Sequence, residues 1–205
     1  MTNKHQTAQE HLLEVSKTIC PVFHRIIIKN GVLDVTCQKS NQLLVYLVRT
    51  VIGQQLSTSA ARSIWSKVVG LLKHQECNLD GLICEENIDL ILQCGISKNK
   101  VRAVFEIKKA LDKEPEFAEK ILSSDYQNVV ARIESIWGLG RWSADMCAMF
   151  YCGLPDVLPL TDSAINKGAE KIFETKDLQT VAEQFSPYRT YLCLHIWKAV
   201  DGNYL

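Results

Sequence analysis

A short glycine-containing connection between two apolar helical segments constrains the fold of this chain more than any other feature. The connection is Gly138-Leu139-Gly140, within the stretch from Ile133 to Tyr151. Apolar residues recur at helical spacing on both sides of it, namely Val129, Ile133 and Ile136 before it and Trp142, Met146, Met149 and Phe150 after it. Glycine permits a sharp reversal of the backbone and the close approach of another backbone or a ligand. Residues 126–151 are therefore predicted to form a tight hairpin of two helices.

The start of the second helix of this hairpin is suited to binding an anion. Arg141, Trp142 and Ser143 follow the second glycine, so the unpaired N–H groups of the first helical turn lie beside a residue without a side chain. Such a helix start binds phosphate or carboxylate groups. A helical hairpin without any ligand is the alternative. The pattern is not the dinucleotide-binding fingerprint, because no third glycine follows and the preceding segment is predicted as helix rather than strand.

A carboxylate lies further along the chain, in Leu158-Pro159-Leu160-Thr161-Asp162. Asp162 occupies the position of an N-cap and is predicted to open a helix that continues through Phe173. Taken alone, Asp162 has two interpretations: a plain capping residue or a functional carboxylate.

Together these residues resemble a known family. The run from Trp137 to Met146, followed at this distance by Leu158-Pro-x-x-Asp162, is similar to the helix–hairpin–helix DNA glycosylases with their Gly/Pro-rich loop and aspartate (HhH-GPD). More narrowly, it resembles 3-methyladenine DNA glycosylase II, the alkylation-repair branch. The stretches 47–57 and 187–197 also match, and the resemblance covers roughly residues 40–200.

The resemblance implies an all-α fold in which two helical subdomains flank an active-site cleft. We expect one glycosylase domain over residues 1–205. About residues 45–150, including the hairpin 126–151, would form a helical barrel, and residues 1–44 with 152–205 would form a second helical bundle. Larger bacterial relatives carry an N-terminal β-domain, which we expect to be missing here.

Composition limits the alternatives. The formal net charge is zero, which argues against tight non-specific DNA binding but not against a grip through uncharged backbone amides. No apolar run is long enough for a transmembrane helix, and no signal peptide is visible. We expect a monomeric intracellular protein with duplex DNA and no membrane as its partner, in the cytoplasm or nucleoid of a prokaryote or the nucleus of a eukaryote.

Eight cysteines raise the question of a metal site. Some members of the wider superfamily hold an iron–sulfur cluster on four cysteines near the C-terminus. Here Cys147, Cys152 and Cys193 are too few and too dispersed for that arrangement. We expect no iron–sulfur cluster and no catalytic cofactor.

The resemblance assigns the chemistry to Asp162. Cleavage of an N-glycosidic bond gives the sugar oxocarbenium character, which a carboxylate held near C1′ stabilises. Relatives that also cut the DNA strand have a lysine where this chain has Trp142, so the resemblance implies a monofunctional enzyme that leaves an abasic site.

The base must leave the helical stack to be reached. Alkylated purines carry positive charge, so aromatic faces can attract them. The resemblance implies a base pocket made by Trp142, Trp197, Met146 and Tyr191. For Tyr191, as for its neighbour Tyr188, core packing is the other interpretation.

DNA contacts are implied at two places. The corner between the helices that end and begin near Gln54, Gln55, Leu56 and Ser57 would fill the gap left by the flipped base, with Gln55 as the expected plug and Leu56 as the alternative. At the hairpin, Gly138, Leu139, Gly140 and Ser143 would hold a DNA phosphate. The resemblance also implies a monovalent cation, Na⁺ or K⁺, on the carbonyls of Glu134, Ile136 and Leu139.

Three functions remain open from the sequence. The first is a glycosylase for alkylated purines of the 3-methyladenine and 7-methylguanine class. The second is a glycosylase of the same fold that acts on uracil, hypoxanthine or an oxidised purine. The third is a non-catalytic helix–hairpin–helix DNA-binding module, which would need the glycines but neither Asp162 nor the tryptophans.

Overall fold

A computed structural model describes residues 4–35, 43–175 and 177–204, and all regular structure among them is helical. The α-helices are α1 Lys4–Ile19, α2 Pro21–Asn30, α3 Leu43–Gly53, α4 Thr58–His74, α5 Leu79–Leu82, α6 Ile88–Gln93, α7 Lys98–Lys113, α8 Phe117–Leu122, α9 Tyr126–Glu134, α10 Arg141–Met146, α11 Ser163–Phe173, α12 Leu178–Glu183 and α13 Arg189–Asp201. A 3₁₀ turn covers Glu85–Asn87, and a π-helical turn, Cys147–Tyr151, directly follows α10. The predicted all-α fold is confirmed.

The helices form two compact units. Unit 1 contains Met1–Cys37 and Ala148–Leu205, and unit 2 contains Gln38–Cys147. In unit 1, α2 packs on α1, and α13 packs on α11 and α2. The rings of Phe23, Phe173 and Phe185 meet in its core, with centroids 5.1 to 6.3 Å apart. In unit 2, α3 packs on α4 and α7, and α10 packs on α9.

Ser57 and Asp125 are helix N-caps, a position that their residue types favour. The hydroxyl of Ser57 accepts a hydrogen bond from the Ala60 amide at the start of α4, at 3.3 Å. The carboxylate of Asp125 accepts one from Asn128 at the start of α9, at 2.9 Å. Each bond satisfies an amide that the helix itself leaves unpaired. Because the cap is a local interaction, its residue type and position could be read from the sequence.

One predicted helix start is wrong. Ser186-Pro187 has the sequence of a cap followed by proline in the first helical turn, but α13 begins at Arg189. The hydroxyl of Ser186 is engaged elsewhere, because it donates to the carboxylate of Asp156 at 3.0 Å. The same carboxylate accepts from the backbone amide of Arg189 at 3.1 Å. Asp156 thus provides the acceptor at the start of α13 that Ser186 was predicted to supply.

Candidate functional site

The hairpin turn in unit 2 is compact and requires glycine at one position. Gly138 has φ of +88°, and a Cβ added there would lie 2.4 Å from the Cβ of Ala103 on α7. Any side chain would therefore be strained and would clash with α7. The amide of Leu139 donates to the carbonyl of Ile136 at 3.1 Å, and the Leu139 side chain is buried. This turn joins α9 to α10 and rests directly on α7.

The first turn of α10 presents backbone amides without a side-chain cap. Gly140 is the N-cap residue and makes no side-chain hydrogen bond to the helix. It is exposed, and a Cβ placed on it would meet nothing within 4 Å. The space beside the helix start is therefore open to an anion.

Ser143 does not lie on that open surface. Its side chain is 1% exposed, and its hydroxyl accepts a hydrogen bond from the side-chain amide of Gln54 at 3.1 Å. The same nitrogen of Gln54 donates to the carbonyl of Gly138 at 3.0 Å. Gln54 thus connects the end of α3 to both sides of the hairpin turn.

The corner between α3 and α4 is exposed and sharply bent. Gln55 has φ of +57°, which is uncommon for a residue with a side chain. Gln55 is exposed, and Leu56 is 41% exposed. Lys100 on α7 holds the end of α3, because its ammonium group donates to the carbonyls of Ile52 at 2.8 Å and Gln54 at 2.7 Å. Burial lowers the pKa of Lys100, and the carbonyl dipoles at a helix C-terminus offset the cost of holding its charge there.

A buried carboxylate ties the two hairpin helices together. Asp145 on α10 is 1% exposed and accepts a hydrogen bond from the hydroxyl of Tyr126 on α9, at 2.6 Å. The guanidinium of Arg141 lies 3.4 Å from the same oxygen. Burial raises the pKa of Asp145, while Tyr126 and Arg141 oppose that shift. Burial, together with the hydrogen bond to Asp145, raises the pKa of Tyr126 to about 12. The sequence signal for this pair was an acidic residue within an apolar helical run.

Trp142 lines an open cavity in unit 2 of about 480 Å³, within the size range of small-molecule sites. Among the described residues, those that line it include no aspartate or glutamate but two arginines, Arg49 and Arg62. The guanidinium of Arg49 lies 5.4 Å from the ring centroid of Trp65. Met146 is 7% exposed, and its carbonyl accepts from the hydroxyl of Tyr46 at 2.7 Å. Trp142 thus faces an aromatic, cationic cavity, whereas Met146 packs inside unit 2.

In unit 1, Asp162 is the N-cap of α11 and is held by two donors. Its Oδ1 accepts from the backbone amide of Ile165 at 2.8 Å and from the indole N–H of Trp197 at 3.3 Å. The ring of Phe150 lies beside Trp197, with centroids 5.9 Å apart. Asp162 and Trp197 are both half-buried. The structure therefore brings the predicted carboxylate and one predicted aromatic residue into direct contact.

The loop that leads to Asp162 is fixed to α13 by residues that the sequence did not single out. Arg189 binds the carboxylate of Asp156 through Nε at 2.7 Å and Nη2 at 2.8 Å. The hydroxyl of Thr190 donates to the carbonyl of Leu154 at 2.7 Å and accepts from the amide of Val157 at 3.0 Å. Burial raises the pKa of Asp156, but the hydrogen bonds from Arg189 and Ser186 outweigh it and hold the pKa below its usual range. The partners are more than thirty residues apart in sequence, and no local pattern reveals them.

Tyr191 lies inside unit 1. It is 3% exposed, and its hydroxyl is paired with His5 Nδ1 at 2.9 Å. The other nitrogen of His5 is 2.8 Å from the carboxylate of Asp34. This placement corresponds to core packing, the second of the two interpretations open for this residue from the sequence.

Comparison with known proteins identifies relatives that align with most of the chain. It is 22% identical over 202 residues to the alkylbase DNA glycosidase-like protein of Schizosaccharomyces pombe, a match that covers 95% of the chain and 93% of that protein. It is 26% identical over 251 aligned residues to the DNA-3-methyladenine glycosylase of Saccharomyces cerevisiae, covering 98% and 81%. No protein-family model matches the chain.

Among solved structures, the 3-methyladenine DNA glycosylase of Schizosaccharomyces pombe in complex with abasic DNA matches with a TM-score of 0.82, at 22% identity over 95% of this chain and 97% of that one. The chain therefore has the helix–hairpin–helix DNA glycosylase fold. The DNA-3-methyladenine glycosidase of Bacillus halodurans matches with a TM-score of 0.74, at 24% identity over 94% and 88% of the two chains. The resemblance to the alkylation-repair branch is confirmed by these relatives.

Two further observations concern metals and membranes. Within residues 4–35, 43–175 and 177–204, no group of three or more His, Cys, Asp or Glu side chains could hold a metal ion. In the same part of the chain, no helix is both long and apolar enough to cross a bilayer.

Proposed function

We propose that this protein is a DNA glycosylase that removes alkylated purines, of the 3-methyladenine and 7-methylguanine class, from duplex DNA. The observation that carries the proposal is the placement of Asp162, a half-buried N-cap carboxylate that accepts hydrogen bonds from Ile165 and Trp197. The names of the Schizosaccharomyces pombe and Saccharomyces cerevisiae relatives support the same activity.

Asp162 would act on the sugar. As the bond between C1′ and the base breaks, the base leaves with the electron pair and the sugar becomes cationic. A carboxylate beside C1′ stabilises that charge and orients or deprotonates the water that adds to C1′. The two N–H donors at Asp162 Oδ1 fix the orientation of the carboxylate, as a preorganised electrostatic group requires.

The flipped base would be recognised by aromatic faces. Trp142 is proposed to stack on it, because cation–π attraction favours a purine that alkylation has made positive. Trp197 is proposed to contribute through its contact with Asp162. Neutral bases such as hypoxanthine or uracil would stack in the same way but without the cation–π attraction. The relative rates at which charged and neutral bases are released therefore distinguish the two substrate classes.

DNA would be anchored by the hairpin and the corner. The open amides around Gly138, Leu139 and Gly140 are proposed to bind a backbone phosphate, while Gln55 or Leu56 fills the gap in the duplex. The carbonyls of Glu134, Ile136 and Leu139 are proposed to hold a monovalent cation, Na⁺ or K⁺, which would supply positive charge beside the bound phosphate.

The enzyme is proposed to be monofunctional, because Trp142 stands where a lyase would carry its amine. Borohydride reduction of the protein with abasic-site duplex DNA is expected to trap no covalent adduct. A protein–DNA crosslink on a denaturing gel would overturn this part of the proposal and leave base release intact.

The decisive experiment is base release from methylated duplex DNA by the wild type and the Asp162→Asn variant, with released bases identified by chromatography. Asparagine is as good an N-cap as aspartate, so α11 should remain capped while the charge is lost. Release is expected to fall about a hundredfold or more, the cost of removing one preorganised electrostatic group.

Asp177→Asn is the matched control. Asp177 caps α12 in the same unit by accepting from the amide three residues ahead, that of Thr180, at 3.1 Å, as Asp162 does from Ile165. Its variant is expected to keep wild-type release. Equal activity of the Asp162→Asn variant would exclude the proposed role of Asp162. An inert wild type that still binds DNA would favour a non-catalytic module or another lesion, which a panel of uracil and hypoxanthine duplexes separates.

A further inference from the structure

Gln54 connects the corner between α3 and α4 to the hairpin turn. Its side-chain nitrogen donates to the carbonyl of Gly138 at 3.0 Å and to the hydroxyl of Ser143 at 3.1 Å. A glutamine amide has two N–H groups, so both can be committed to the hairpin, one on each side of the turn. The side chain of Gln54 is thereby directed inward to the protein, whereas Gln55 and Leu56 remain exposed.

Lys100 on α7 binds the end of α3, next to Gln54. Its ammonium group donates to the carbonyl of Gln54 itself and to that of Ile52, two groups that the end of α3 leaves without helical partners. An ammonium group at this end also interacts favourably with the helix dipole. Lys100 therefore holds the carbonyl end of α3 and the backbone of Gln54 against α7.

Helix α7, which carries Lys100, also supports the hairpin. Gly138 approaches Ala103 so closely that no side chain would fit between them. The guanidinium of Arg102 lies 3.9 Å from the ring centroid of Trp137. One helix thus sets the position of the corner and of the turn, and Gln54 joins the two directly.

We propose that Gln54 and Lys100 are positioning residues that lock the corner to the hairpin, so that the phosphate anchor and the side chain filling the duplex act as one rigid element. The inference rests on the proposed function for its DNA readout. Fixing both contacts before binding reduces the ordering cost that DNA binding would otherwise carry. The lock acts on DNA binding, whereas the chemical step belongs to Asp162.

Four variants test the lock. Gln54→Glu keeps the shape of the side chain but removes both donors and places a negative charge against the Gly138 carbonyl. Lys100→Met keeps most of the aliphatic stem and removes the ammonium group. The matched controls are Gln93→Glu, at the exposed end of α6, and Lys109→Met, at an exposed position of α7.

The first readout is hydrogen exchange of the hairpin amides, measured without DNA by mass spectrometry of a peptide spanning residues 136–148, which includes the hydrogen-bonded amides of Leu139 and Ala144. Exchange is expected to become about tenfold faster in Gln54→Glu and Lys100→Met, because local opening of the turn costs less free energy. The two control variants should exchange at the wild-type rate. Unchanged exchange in both test variants overturns the proposal, whether or not the protein is a glycosylase.

The second readout separates binding from chemistry. Affinity for a duplex containing a tetrahydrofuran abasic analogue is expected to fall about tenfold in both test variants, equivalent to about 1.4 kcal/mol. The single-turnover rate of base release at saturating protein is expected to fall by a smaller factor than the affinity, since the loss is mainly one of ground-state positioning. Loss of rate with unchanged affinity overturns the proposed division of roles.

If Gln54→Glu fails to fold, Gln54→Asn replaces it, because its shorter amide keeps the chemistry but cannot span both acceptors. The double variant Gln54→Asn with Lys100→Met should weaken binding less than the sum of the single effects, as expected for residues in one network. Additive effects would overturn the coupling. If neither the wild type nor any variant releases a base, but hydrogen exchange still becomes faster in the test variants, the proposed function is excluded. The proposed positioning role of Gln54 and Lys100 would then still hold.

Discussion

At the scale of single residues, Asp145 shows how a buried acid can be held for architecture instead of chemistry. Its folded pKa is raised, so the native state binds more protons than the unfolded state above the ordinary aspartate pKa. The free energy of unfolding therefore decreases as pH rises through that window. The ionised form of Asp145 opposes folding, and its hydrogen bond from Tyr126 offsets part of the cost.

This balance predicts different effects for two conservative substitutions. Asp145→Asn keeps an oxygen that can accept from Tyr126, so we expect its free energy of unfolding at pH 7 to lie within about 1 kcal/mol of the wild type. Tyr126→Phe leaves the buried carboxylate without its donor and should cost about 1.5–3 kcal/mol. Urea unfolding at pH 5 and pH 7 measures both, and the Asp145→Asn variant should have lost the pH dependence that Asp145 contributes. A larger loss in Asp145→Asn than in Tyr126→Phe would contradict this account.

At the scale of helices, the face of α3 that lines the Trp142 cavity is expected to influence base preference if Trp142 stacks on the flipped base as proposed. Arg49 on α3 and Trp142 on α10 line the same cavity. A guanidinium in this cavity would weaken the binding of a cationic base by about 1–4 kcal/mol at close range, depending on solvent access. The ring of Trp142 would attract the same base. Arg49→Gln is therefore expected to raise release of 7-methylguanine relative to neutral hypoxanthine by about threefold or more.

The control for this prediction is Arg25→Gln, which removes one positive charge from an exposed position of α2 in unit 1. It should leave the ratio of the two released bases unchanged. Both activities would be measured on duplexes with one lesion each, under single-turnover conditions. An Arg49→Gln variant with the wild-type ratio would mean that the charge of Arg49 does not act on the bound base.

The same scale shows what could be predicted from the sequence. The extents of α9 and α11 followed from Asp125 and Asp162, because caps and helical periodicity are local signals. The four-residue α5, capped by Asn78, was not predicted, since one turn carries too little periodicity. The contacts of Gln54 with the hairpin join residues more than eighty positions apart. Such pairings depend on how helices pack, which spacing along the chain does not encode.

At the scale of the whole molecule, the balance of charges sets how DNA binding should respond to salt. The chain has 23 basic and 23 acidic residues, and the proposed phosphate anchor uses uncharged backbone amides. Affinity falls with salt in proportion to the number of phosphates that lysine and arginine neutralise, with a slope of about −0.9 per phosphate. The proposed anchor neutralises no phosphate through lysine or arginine, and a net charge of zero adds no long-range attraction to DNA.

We therefore predict that log K for the abasic-analogue duplex falls with log salt with a slope of about −2 to −3, between 50 and 200 mM NaCl. Fluorescence anisotropy titrations measure it, with an undamaged duplex as the comparison. The undamaged duplex should bind weakly at every salt concentration, because it offers no gap for the corner to fill. A slope steeper than about −6 is typical of proteins that neutralise many phosphates. It would mean that basic side chains, and not the hairpin amides, provide most of the binding free energy.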